Sequence, residues 1–113
     1  MGALVATTPA RTGTVTSGAA VASSDTIALA LLGSYGAFLE IINGNASPDT
    51  VTISDASTTA QGAPAAAISK SVANGTSQVF KILPQQADPT TGQVTVTHSV
   101  TATVTYKLYP FGI

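Results

Sequence analysis

Between residues 93 and 109 nearly every second side chain is apolar. The even positions are Val94, Val96, His98, Val100, Ala102, Val104, Tyr106 and Leu108, and the odd ones are Thr95, Thr97, Ser99, Thr101, Thr103, Thr105, Lys107 and Tyr109. A period of two puts each set on its own face of an extended chain. One face suits a core; the other is hydroxylated and almost uncharged. The run exceeds an ordinary strand, and its parity never reverses. A two-residue hairpin loop would reverse it, whereas an odd loop keeps it. The expectation is a hairpin with the loop Ser99-Val100-Thr101, pairing His98 with Ala102, Val96 with Val104 and Val94 with Tyr106. That loop has no Gly or Asn for a left-handed position, and a single long bent strand is the competing arrangement.

The same period recurs upstream. "DTIALAL" sets Ile27, Leu29 and Leu31 on one face, and "GSYG" (33–36) supplies a turn. "AFLEIIN" has Leu39 and Ile41 on one side and Phe38 and Ile42 on the other, as a strand that is central or covered on both faces would. "GNASPD" reads as a loop, and "TVTIS" as a strand with Val51 and Ile53 inward. "DASTTAQGAPAA" is irregular. "AISKSV", "ANGT" and "SQVFKIL" read as a hairpin about a type I′ turn at Asn74-Gly75. The prolines of "PQQADPTTG" exclude a regular strand there. No window carries a 3.6-residue apolar period, so little helix is expected. The sum is an all-β chain, about seven strands in an antiparallel β-sandwich of immunoglobulin-like or jelly-roll type, spanning residues 25–113.

Residues 1–24 are Ala, Thr, Ser and Gly with scattered Leu and Val. They fit a disordered leader or an extended arm that adds a strand to a neighbour. Leu4, Val5, Val15 and Val21 are the arm's candidate contacts. At the other end Phe111 and Ile113 follow Pro110, and an apolar tail of this kind suits docking. No basic stretch followed by an apolar run opens the chain, so no secretory leader is expected.

Composition narrows the function. Only 8% of the 113 residues are charged, against about 25% in an average soluble domain. The net charge is −1, and Arg11, Lys70, Lys81 and Lys107 are scattered; no phosphate track for nucleic acid forms from them. The longest apolar run, residues 27–32, is far short of a membrane span. Cysteine is absent, which removes disulfides and thiolate chemistry. A nearly neutral, apolar-leaning surface favours association.

Candidate chemistry is sparse. His98 lies among inward valines with no nucleophile or orienting acid evident beside it, so it reads as a half-buried histidine near a turn. Asp25, Asp49, Asp55 and Asp88 read as turn and strand-end residues without metal-ligand spacing. Glu40 and Lys70, each inside a strand pattern, are a candidate cross-strand pair. Asn45-Ala46-Ser47 and Asn74-Gly75-Thr76 match a glycosylation pattern but read as turns. Tyr35, Tyr106, Tyr109 and Phe111 are the candidate aromatic platform for a sugar. No nucleotide-binding or hydrolase motif is present. An enzyme is not expected, and neither a cofactor nor a metal is implied.

Four segments together resemble small structural proteins of tailed bacteriophages: "FLEIING" (38–44), "TVTI" (50–53), "VANGT" (72–76) and "VTVTHSVTATV" (94–104). The resemblance covers residues 37–108 and leaves the arm out. His98 stands where that pattern often has an aromatic such as Tyr, which implies a packing role. It implies a virion component of the capsid decoration or cement type: an oligomer, with a trimer favoured, whose partner is the major capsid protein on the capsid surface. A tail, connector or head-fibre protein and a carbohydrate-binding surface module are the alternatives.

Overall fold

The structure, a computed structural model, describes residues 2–14, 18–33, 35–58, 60–63 and 66–110. In chain order its elements are β1 (Gly2–Ala3), β2 (Ala19–Ala20), β3 (Ser24–Ala28), α1 (Leu29–Leu32), β4 (Ala37–Asn43), β5 (Asp49–Ile53), β6 (Ile68–Val72), β7 (Ser77–Ile82), a 3-10 turn (Pro84–Gln86), β8 (Gln93–His98) and β9 (Val104–Pro110). They form two sheets with strand orders β1-β3-β8-β5-β6 and β2-β9-β4-β7. Every pairing is antiparallel except β1 with β3. The inner faces meet in one core. Ile27, Val51, Ile53, Val94 and Val96 come from the first sheet, and Leu39, Ile41, Ile82, Val104 and Leu108 from the second. This is a β-sandwich, and β3–β9 are the seven strands that the period-two pattern expects. β4 lies between β9 and β7, the central position that is one of the two arrangements its two-sided apolar pattern allows; its Phe38, Glu40 and Ile42 face is only half-buried.

The two expected hairpins are arches instead. β8 pairs with β3 and β5 in the first sheet, while β9 pairs with β2 and β4 in the second. Val96 does not pair with Val104, nor Val94 with Tyr106; these residues belong to different sheets. The chain crosses the core edge at 99–103, so unbroken parity reflects inward faces on two sheets rather than one ribbon. The left-handed position that the segment lacks a glycine for is taken by Thr103, at φ 56°. Likewise β6 pairs with β5, and β7 with β4. Of the Asn74-Gly75 pair only Gly75 has positive φ, at 76°, and Thr76 N–H donates to Ala73 O. That is the type II arrangement, not type I′. Glu40 and Lys70 therefore sit in different sheets and are not cross-strand neighbours; Glu40 lies opposite Lys107 and Val79, and Lys70 opposite Val51.

β3 ends at Ala28, not at Leu31. Leu29–Leu32 has no β-branched residue and consists of strong helix formers, and it turns once as α1. Leu32 is then fully buried while Leu29 is 44% exposed, which breaks the expected Ile27, Leu29, Leu31 face. Gly36 follows at φ 91°. A Cβ there would stand 2.1 Å from the Ile82 carbonyl oxygen, so this close approach of the α1–β4 connection to β7 admits only glycine.

The described part of residues 1–24 folds back on its own domain. β1 lies parallel to β3, and Leu4 N–H donates to Thr26 O at 2.8 Å. Val5 N–H donates to the Tyr106 hydroxyl at 2.9 Å, and Thr7 N–H to Leu108 O at 2.7 Å. This segment thus straps the first sheet to β9 of the second. β2 adds to the other side of β9 from β4, opposite Tyr106 and Thr105.

Gly36→Ala is expected to lower stability by about 3 kcal/mol or more in urea denaturation. Gly62→Ala, at φ 85° with nothing within 4 Å of the new Cβ, is expected to cost only about 1 kcal/mol; equal losses would contradict the close approach. Thr103→Gly removes left-handed strain of about 1–2 kcal/mol, offset partly by added chain flexibility. It is expected to raise stability by roughly 0.5–1 kcal/mol, and a lower denaturation midpoint would contradict the corner geometry.

Candidate functional site

Three polar side chains occupy inward positions at one end of the sandwich: Asn43 at the end of β4, Asp49 at the start of β5 and His98 at the end of β8. All three are buried. His98 Nδ1 and Asp49 Oδ2 are 2.7 Å apart, with side chains 1% and 0% exposed. The other carboxylate oxygen accepts from the N–H groups of Ser99 at 3.0 Å and Val100 at 3.3 Å. These two amides stand where the chain leaves β8 for β9, past the end of the β8 ladder. Ser99 N–H also donates to Thr50 O at 3.2 Å, so the carboxylate supplies the partner of Val100 N–H and a second one for Ser99 N–H; an N–H withdrawn from water without a partner costs about 1–3 kcal/mol.

Asn43 does the same for neighbouring crossings. Its Nδ2 donates to Ser47 O at 3.0 Å and Val72 O at 2.9 Å, and its Oδ1 accepts from Asn45 N–H. Asn45 Nδ2 donates to Ala102 O at 2.8 Å, and its Oδ1 accepts from Ser47 N–H. Asn45 is thus the turn residue expected, and its amide bridges to the 99–103 corner. Among the described residues no buried side-chain nitrogen or oxygen lacks a partner.

The Asp49–His98 pair has the composition of an orienting acid and a base. Catalysis would need the imidazole to reach substrate, and a side chain 1% exposed is closed to it. The arrangement serves to hold the corner. Sequence reading assigns Asp49 to a turn and finds no acid beside His98. The missed signal is parity: Asp49 stands two residues before inward Val51, and His98 two after inward Val96. Two inward polar residues need partners, and each supplies the other's.

A cleft of about 380 Å³ opens near the opposite end of the first sheet, lined by Thr26, Gln93 and Thr95 of the strands and by Ser54, Asp55 and Asp88 among the loop residues. Its carboxylates serve their own loops. Asp55 Oδ1 accepts from Ser57 N–H at 2.9 Å and from the Ser57 hydroxyl at 2.5 Å, and Asp88 Oδ1 from Thr90 N–H at 2.8 Å. No group of three or more metal-ligating side chains occurs among the described residues. None of the described cleft-lining residues is aromatic.

The residues expected at a subunit contact do not gather into one surface. Leu4 and Val21 are buried in this chain's own core, and Val5 is 73% exposed. Val15, Phe111 and Ile113 lie outside the described residues. The aromatic platform does not assemble: Tyr106 faces the core, and Tyr109, at odd parity on β9, faces the other way. Phe111 is again outside the described residues.

The two outer faces differ in chemistry. Register fixes the outward positions, since directly paired residues share a side. On the first sheet Ser24, Thr97, Thr52 and Ser69 form one row across four strands. Thr26 stands beside Thr95, and Thr50 beside Ser71. No charged side chain lies at a described outward position of these strands. The threonines at 95 and 97 belong here, whereas Thr105 belongs to the outer face of the second sheet.

Among known proteins, no family model, no curated protein and no solved structure matches this chain. No helix among the described residues is long and apolar enough to cross a membrane.

Asp49→Ala is expected to cost about 3–5 kcal/mol, because it strands His98 and the Val100 amide, while Ser99 N–H keeps Thr50 O. In a double-mutant cycle with His98→Ala, the two losses should fall short of additivity by at least about 1 kcal/mol. Additive losses in urea titration would show the pair to be uncoupled.

Proposed function

We propose that this chain is a structural virion protein of a tailed bacteriophage that binds the outside of the capsid and stabilises it by bridging capsomers. The observation that carries the reading is the outer face of the first sheet, paved with Ser and Thr and free of charge at its described strand positions. A surface bathed only in water has no need to exclude lysine and glutamate. A surface that is covered in the assembled state gains by excluding them, since burying an unpaired charge costs far more than burying a hydroxyl. Each hydroxyl can donate or accept, so the face suits the polar surface of another protein, here the major capsid protein. The resemblance of residues 37–108 supports the same class, and the 8% charge content fits a part held by neighbours.

The mechanism is linkage. A subunit that binds the assembled shell better than separated capsomers shifts the balance toward the shell. No cofactor or metal takes part, and the subunits act as a homo-oligomer at the capsid surface. A carbohydrate-binding module would use the cleft, but without an aromatic ring in its lining that reading has less support.

Cryo-microscopy of intact particles should place the protein on the capsid exterior at a copy number set by shell symmetry. Density at the tail or connector instead would replace the capsid reading with another virion role. Thr52→Lys and Thr97→Lys, at directly opposed positions in the hydroxyl row, should each lower occupancy on particles by roughly tenfold, as one desolvated charge would, with melting unchanged. Full occupancy in both variants would remove this face from the interface.

A further inference from the structure

The outer face of the second sheet is built on another plan. Its outward rows are Tyr109–Phe38–Lys81, Lys107–Glu40–Val79 and Thr105–Ile42–Ser77. Phe38, Ile42, Val79 and Tyr109 make an apolar and aromatic strip, with Val79 63% exposed. Glu40, Lys81 and Lys107 stand among them. The ion pair formed among the described residues is Asp49–His98, so these three charges have no opposite charge within contact distance. A face of this small area thus holds the chain's single glutamate and two of its few cations, while the described outward strand positions of the first sheet hold none and the carboxylates nearest them, Asp55 and Asp88, come from the loops of the cleft.

We propose that this face is where two copies of the chain meet, front to front about a two-fold axis, with Glu40 of each copy against Lys107 of the other. A two-fold contact sets one patch against itself, so a charged patch meets its copy without repulsion only where it carries both signs; a patch of one sign would repel its own copy. Aromatic and apolar residues interleaved with a few charges of both signs have the composition of a protein contact. The charges here are complementary to the same face turned through a half-turn, and that selects a second copy over a partner of one net charge. The contact is two-fold, not the three-fold one that the phage resemblance favours. It uses the sheet opposite the one assigned to the particle, so it stands or falls independently of that assignment.

Three strands about 4.8 Å apart and seven residues at about 3.4 Å each give a footprint on the order of 300 Å². Counted on both copies that is on the order of 600 Å², below the roughly 1,200 Å² at which stable interfaces begin, so the contact is weak and association should depend on concentration.

Sedimentation velocity of the full chain from about 10 µM to about 1 mM, the range of weak contacts, is expected to show a monomer–dimer equilibrium. Glu40→Lys and Lys107→Glu should each weaken it by at least about tenfold. An equimolar mixture of the two variants should restore the dimer, because both cross-contacts then pair opposite charges. Val79→Lys, on the exposed edge strand, should weaken it as well, and melting curves should show all three variants folded. A monomer throughout, a trimer, a dimer indifferent to the charge changes, or a mixture that fails to restore association would each overturn the proposal.

Discussion

A chain that leaves one sheet to enter the facing one loses its ladder partners at the crossing, and those backbone groups must bond elsewhere. In this protein the Asp49 carboxylate meets that constraint at the β8–β9 corner. It holds the amides of Ser99 and Val100 with one oxygen and His98 Nδ1 with the other. Asn43 and Asn45 extend the network to 44–48, 73–76 and 99–103. Most consecutive strands here change sheets, so this end of the molecule concentrates polar groups that a sandwich of plain hairpins would satisfy within its ladders. The buried polar cap is a consequence of the topology.

The strands were legible because burial with period two writes itself into the chain. Leu39, Ile41, Val51, Ile53, Val94, Val96, Val104 and Leu108 all face the core, as their parity requires. Which sheet each strand joins was not legible. A hairpin and an arch bury the same alternate residues, so parity at 93–109 records a buried side without recording whose sheet it belongs to. Thr103 shows the same limit. The absence of Gly or Asn argues against a tight corner, yet a β-branched residue adopts the left-handed conformation there, the surrounding hydrogen bonds outweighing its strain.

The candidate site was hidden for a related reason. Asp49, Asn43 and His98 look like ordinary strand-end residues when each is taken alone. Their shared inward parity is the informative feature, because a buried carboxylate demands donors. Leu4 was hidden differently. Two residues of parallel pairing and one hydroxyl from Tyr106 bring it into the core, and so short a segment leaves no periodic trace. The crossing topology also explains the two unlike surfaces. The one threonine-rich run is divided at the corner, its first half facing out from the hydroxyl sheet and its second from the sheet that carries Glu40 and Lys107.

Native-state hydrogen exchange at the 99–103 corner tests this account most directly. If the Asp49 carboxylate holds the crossing, the amide of Val100, which has no backbone acceptor among the described residues, should exchange only through global unfolding, as slowly as the central amides of β4, while Ala102 exchanges as an exposed loop residue. Exchange of Val100 at the rate of Ala102 would contradict it, leaving the corner a passive loop and the Asp49–His98 pair incidental to the fold.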